Sequence, residues 1–182
     1  MTREGPGCRR QIVRQLSRDG VRKEETGRML NPNTESMELT YKLIQDAESF
    51  EAFRSLLKAS ELPADDLDYK RDLLVGYYEG DELVGTGGLE IYKPYALLRS
   101  LSVKLGIRGR AVGSTITEYL LDEARKKNLK AIYLLTTTAR GFFQKKGFRD
   151  ITREAVPDEV KRSAEFSKRF PDSAAVMVLQ LN

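Results

Sequence analysis

Residues 97–127, LLRSLSVKLGIRGRAVGSTITEYLLDEARKK, constrain the fold more than any other part of the chain. The run 97–103 alternates and is mostly apolar, which reads as a buried strand. Residues 104–110 form a short, basic, glycine-containing loop. From about residue 111 to 127, Ile116, Tyr119, Leu120 and Ala124 fall at helical spacing and give one apolar face. A strand that passes through a glycine-bearing turn into a helix makes an anion seat. Small residues let a phosphate reach the backbone, and the first N–H groups of the helix point at it. Arg108 and Arg110 add positive charge, so the feature suits a pyrophosphate.

The common alternatives fail on spacing. No Gly-Lys-Ser/Thr ending is present, and Gly106, Gly109 and Gly113 do not fit G-x-G-x-x-G. Arg108 to Gly113 reads R-x-x-A-x-G directly after a strand ending in Leu-Ser-Val. This resembles the acetyl-CoA motif of the GNAT N-acetyltransferase superfamily, usually written Q/R-x-x-G-x-G/A. Ala111 stands where the first glycine would be, and alanine is expected to cost some closeness of approach while keeping helical dihedrals.

Composition narrows the chemistry. A chain of 182 residues fits one domain with a real core. The single Cys8 excludes an internal disulfide and fits a cytoplasmic setting. No apolar run approaches a membrane span, so no membrane partner is expected. Histidine is absent, which removes Ser-His-Asp catalysis and the usual histidine metal sites, and no metal is expected. A base must then be a carboxylate, tyrosine, lysine or held water. Residues 1–30 carry eight Lys and Arg against four Asp and Glu, a surplus that equals the +4 of the whole chain. The remainder is electroneutral, which argues against a nucleic-acid-binding face. Residues 1–36 therefore read as a basic extension, with a helix-compatible run at 11–18; it is either poorly ordered or an arm for a partner.

The folded domain is expected over 37–182. A strand at 38–43 leads to a helix from Ala47, with Asp46 as N-cap and Phe50, Phe53, Leu56 and Leu57 on one face. Residues 61–67 read as a loop or a short second helix. Strands at 73–78 and 83–92 flank a hairpin turn, and Lys93-Pro94 turns the chain into the central strand. After the motif helix come a strand at 131–135, a helix at 139–146 ended by Gly147, a strand near 149–152, a helix opened by Pro157 and a last strand at 174–181.

That order is similar to the GNAT fold, an α/β (α+β) acyl-CoA N-acyltransferase architecture whose mixed central sheet is flanked by helices. Two central strands splay apart there to admit acetyl-CoA. The runs Leu134-Leu135-Thr136-Thr137-Thr138-Ala139, Phe142-Phe143, Gly147-Phe148, Gly88-Leu89-Glu90 and Leu97-Leu98-Arg99-Ser100-Leu101 resemble the arsenic-resistance branch, the arsinothricin N-acetyltransferases. They are also similar to the acetyltransferase domain of N-acetylglutamate synthases. The resemblance covers about residues 37–182. It implies an enzyme that moves the acetyl group of acetyl-CoA to a small glutamate-like amine, such as arsinothricin, phosphinothricin or glutamate, by direct attack in a ternary complex. A non-catalytic acyl-CoA-binding domain and a peptide or protein acetyltransferase remain the alternatives. Whether the chain forms a homodimer stays open.

The same resemblance places the cofactor on Leu101, Ser102, Val103, Arg108, Gly109, Arg110, Ala111, Val112, Gly113 and Ser114, mostly through their backbone. If Lys93-Pro94 makes a two-residue turn, Glu90 lies opposite Leu97 and Gly88 opposite Arg99, so Glu90 and Arg99 share a face. They read either as base and acid-group clamp, or as a structural ion pair. Ser100 should face the other way as a core hydrogen-bonder. Thr136 and Thr137 read either as substrate contacts or as caps for the next helix. The tyrosine many GNAT enzymes carry after the threonine run is Phe143 here; Tyr133 or Tyr92 are the candidate proton donors, if they are not simply packed.

Overall fold

The computed structural model describes Gln11–Ile12 and residues 38–181. The expected order is present with adjusted ends: β1 (Gln11–Ile12), β2 (Leu39–Leu43), α1 (Ala47–Ala59), β3 (Leu73–Glu79), β4 (Glu82–Tyr92), β5 (Tyr95–Val103), α2 (Val112–Lys126), β6 (Ala131–Thr136), α3 (Arg140–Lys145), β7 (Arg149–Ile151), α4 (Asp158–Lys161) and β8 (Ala175–Gln180). They build one mixed sheet in the order β1-β2-β3-β4-β5-β6-β8-β7. Gln11 and Ile12 are strand, not helix, paired with Tyr41 and Thr40; the rest of the basic extension lies outside the described residues. Residues 61–67 are loop, with no second helix.

Local chemistry explains the elements. Asp46 caps α1 by accepting the Ser49 N–H at 2.8 Å, and Phe53 and Leu57 are fully buried beneath it. The helix α2 buries Val112, Ile116, Leu120, Leu121 and Ala124 against the opposite face of the sheet. It lies unusually close to β4. A Cβ on Gly87 would come within 2.5 Å of Ile116 Cγ2 and 2.9 Å of Leu120 Cδ1, and one on Gly85 within 2.7 Å of Ile116 Cδ1. These glycines let the helix settle onto the sheet. Gly87→Val is accordingly expected to cost about 1–3 kcal/mol through overpacking, read as a lower urea midpoint at unchanged slope.

Two irregularities position the site. Opposite Gly87, β5 carries an extra residue: Thr86 pairs with Ser102 but Gly88 pairs with Arg99, so Ser100 and Leu101 both stand against Gly87. Ser100 takes a left-handed conformation there, φ 59°. The second is the seam between β5 and β6, the parallel pair. It holds only Tyr95–Ala131, Ala96–Ile132 and Leu97–Tyr133 in register. Beyond those pairs the strands part, as the resemblance implied.

Candidate active site

Where β5 and β6 diverge, the edge-facing backbone groups of each strand lose a strand partner, and buried backbone groups need one. A cavity of about 120 Å³ opens there. Its wall includes Arg99, Ser100 and Leu101 from β5, Thr136 from the end of β6, Phe143 from α3, and Glu165. The α2 N-terminus lies between the end of β5 and α3: a Cβ on Gly113 would lie 3.7 Å from both Val103 Cγ2 and Phe142 Cζ.

The residues expected to form the anion seat lie around that helix end. Arg108, Gly109, Arg110 and Ala111 are exposed, with Val112 buried and Gly113 and Ser114 half-buried. Arg108 Nε donates to the Val103 carbonyl at 3.0 Å, tying the loop to the strand end. Ala111 departs from expectation. It is not helical but the left-handed N-cap, φ 60° and ψ 6°, a conformation that costs a residue with a Cβ about 1 kcal/mol or more. The glycine usual in the motif relieves exactly the strain that alanine keeps here. Leu101 lines the cavity, while the Ser102 hydroxyl turns away to the Ser60 hydroxyl at 2.6 Å, leaving only its backbone on the cofactor side of the expectation.

Thr136 and Thr137 both line the cavity. Thr136 Oγ1 also accepts the Ala139 N–H at 2.9 Å, so it steadies the turn into α3 as well. Phe143 is buried and edge-packed on Phe142 and Phe148. Tyr133 packs with Tyr95, and the Tyr92 hydroxyl donates to Glu90 Oε2 at 3.0 Å; neither lines this cavity.

The two-residue turn holds, pairing Glu90 with Leu97 and Gly88 with Arg99. Glu90 and Arg99 do share a face, and Arg99 Nη1 donates to Glu90 Oε1 at 2.8 Å. Their surroundings differ from the expected base and open clamp. The Arg99 side chain is 0% exposed. Its guanidinium also meets Asp66, from the loop after α1, through both Nη atoms, and its Nε lies 3.2 Å from Glu165 Oε1. Burial opposes the Arg99 charge, but the Asp66 hydrogen bonds and the Glu165 and Glu90 carboxylates outweigh it and hold the group protonated. Arg99 is thus the hub of a carboxylate cluster rather than a free cation. Glu90 accepts from Arg99, Arg71 (3.3 Å) and Tyr92, and lines a separate small cavity with Arg71, Asp72, Ile91 and Tyr92. Ser100, expected to be a satisfied core residue, lines the main cavity with its buried hydroxyl unpartnered among the described residues.

Glu165 was not anticipated from the sequence. It opens a π-helical turn, Glu165–Arg169, and is 3% exposed. A lone glutamate in the polar stretch EFSKR carries no periodic signal; only its placement beside Phe166 hints at burial. Among the described residues, no cluster of His, Cys, Asp and Glu is arranged to hold a metal ion, and no helix is long and apolar enough to cross a membrane.

Comparison with known proteins decides the family. The sequence pattern of the Acetyltransferase (GNAT) family matches residues 37–148, more than half of the chain. The chain belongs to the GNAT family. An uncharacterised N-acetyltransferase of Chlorobaculum tepidum is 26% identical over 97 residues, spanning 53% of this GNAT chain and 61% of the relative. The Mycobacterium tuberculosis protein Rv2747, solved in complex with CoA and NLQ, is 24% identical and shares the fold at a TM-score of 0.63, over 77% of this chain and 99% of its own. N-acetylglutamate synthase from Neisseria gonorrhoeae, solved with coenzyme A and N-acetyl-glutamate, reaches a TM-score of 0.65 at 13% identity, over 79% of this chain and 35% of its own. The fold is what these proteins share with this chain, whose own sheet splits between β5 and β6.

Proposed function

We propose that this GNAT chain moves the acetyl group of acetyl-CoA to the primary amine of a small molecule, by direct attack in a ternary complex. One observation carries the reading: the sheet opens beyond Leu97 and Tyr133, and the N-terminus of α2 lies between the end of β5 and α3, with Gly113 facing Val103 and Phe142. The pyrophosphate would take the backbone N–H groups at 112–114, with Arg108 and Arg110 nearby. The pantetheine amides would take the strand-edge groups of Leu101 and Val103 beyond the last pairing with β6, although the Val103 carbonyl already accepts from Arg108 Nε. A backbone N–H near Leu101 would polarise the thioester carbonyl and stabilise the oxyanion. Among the described residues no tyrosine lines the cavity, so the departing sulfur would take its proton from solvent.

Glutamate-like amino acids are the acceptors to try first. The Leu-Thr-Thr, aromatic and Gly-Phe runs support this, as does the likeness to a synthase solved with N-acetyl-glutamate. A second acceptor class has its own observation. Three carboxylates, Asp66, Glu90 and Glu165, surround the one guanidinium of Arg99, which favours an amine lacking an acid group. Thiol release from acetyl-CoA, measured with glutamate, phosphinothricin, arsinothricin and an uncharged-tail amine or diamine, tests both. Turnover of the acidic amines alone supports the first class, and preference for the diamine supports the second. Cofactor binding without thiol release from any amine would make this a non-catalytic acyl-CoA-binding domain.

A further inference from the structure

The acceptor's ammonium must lose a proton before its nitrogen can attack, and Glu90 is poorly placed to take it. It already accepts from Arg99, Arg71 and Tyr92, and it faces the other cavity. Glu165 differs on each count. It lines the main cavity with Leu101 and Thr136, and its one ion-pair contact among the described residues, Arg99 Nε at 3.2 Å, falls short of hydrogen-bond geometry. Ser100 presents a second unfilled polar group to the same space, its hydroxyl buried and unpartnered on a left-handed, strained residue. Unmet polar groups in a buried cavity mark where a ligand's polar atoms belong. The π-turn that aims Glu165 inward is a rare geometry, concentrated at functional sites.

Resting on the acetyltransferase reading, we propose that Glu165 takes the proton of the acceptor's ammonium group while the Ser100 hydroxyl holds that nitrogen beside it. An N–H bond of the ammonium breaks, and its proton passes to a Glu165 oxygen. The freed lone pair forms a bond to the thioester carbonyl carbon. The tetrahedral adduct collapses with loss of the carbon–sulfur bond, and the thiolate is protonated from solvent as the nitrogen sheds its second proton. Glu165 returns its proton to solvent, so ammonium and thioester give amide, thiol and one proton. The charges facing Glu165 are Arg99 from β5, Glu90 from β4 and Asp66 from the loop after α1. Burial pushes Glu165 up to about 7, Arg99 opposes this, and Glu90 and Asp66 add to it. A base so poised is half-ionised near neutral pH, where general-base catalysis is most efficient.

The test uses the full chain and whichever amine gives thiol release. Wild type should show a rising acid limb in kcat/KM for the acceptor, centred near 7. Glu165→Gln should lower kcat on the order of 100-fold or more and erase that limb, with acetyl-CoA affinity kept. Glu165→Asp should recover part of the rate, and Ser100→Ala should raise the acceptor KM several-fold. Carbon-13 carboxyl titration should place Glu165 well above ordinary glutamates. A folded Glu165→Gln protein with wild-type kcat and an unchanged limb, or Glu165 titrating in the ordinary carboxylate range, would overturn the assignment while leaving the acetyltransferase reading intact. Absence of thiol release by wild type with every amine is the separate signature that the reading itself fails, and the assignment with it.

Discussion

Replacing Arg99 with methionine is expected to cost about 3–5 kcal/mol of folding stability, the usual penalty for removing one partner of a buried ion network. The guanidinium is 0% exposed and is the shared neighbour of Asp66, Glu90 and Glu165. Methionine fills the volume but removes the guanidinium shared by Asp66, Glu90 and Glu165, with Arg71 still paired to Glu90. Urea unfolding at pH 8 reads the loss directly. The loss should shrink toward pH 5, and the sign follows from Glu165. Its folded pKa, raised to about 7 from 4.5, means the unfolded chain ionises first as pH rises. Stability from this group is therefore intact below about 4.5, falls through the interval to 7, and stays low above it. Removing Arg99 raises the Glu165 pKa further and stretches that interval upward. If instead Arg99→Met unfolds within about 1 kcal/mol of wild type and raises the acceptor KM tenfold, the residue is an open clamp for an acid group and the cluster is incidental.

Gly113→Glu should abolish the thermal stabilisation given by acetyl-CoA, with affinity falling on the order of 100-fold, or about 2.7 kcal/mol. The substitution puts a carboxylate where α2 offers its positive end to a phosphate. Packing does not confound it. A Cβ at this position meets Val103 and Phe142 at an ordinary 3.7 Å, so Gly113→Ala is the control and should keep both fold and binding within a few-fold. Equal stabilisation of the glutamate variant and wild type would put the anion seat elsewhere.

What could be read from the sequence was what short range determines. The Asp46 cap, the Lys93-Pro94 turn and the alternation that puts Glu90 and Arg99 on one face are each set within a dozen residues, and each is present. The strand-loop-helix of the anion seat belongs to the same class. The environment of Arg99 was out of reach because Asp66 and Glu165 arrive from a loop and a π-turn that no periodicity connects to β5. Hence an arginine that looked available is enclosed, and a glutamate in an unremarkable polar run lines the cavity. Ala111 failed for a different reason. Its residue type is compatible with a helix, and only the backbone geometry of the motif turn forces it left-handed.

The narrow seam between β5 and β6 also makes the sheet two leaves sharing a short spine. One leaf runs from β1 to β5 and the other from β6 to β7 through β8, with three register pairs between them. A ligand wedged past Leu97 and Tyr133, as proposed, would become the missing rungs of that ladder and link occupancy to the rigidity of the second leaf. Whatever prised the leaves apart would then weaken binding, and binding would in turn stiffen β8, a strand lying beyond the stretch the family pattern matches. On that proposal the last strand would be coupled to a ligand held mainly by β5 and the N-terminus of α2.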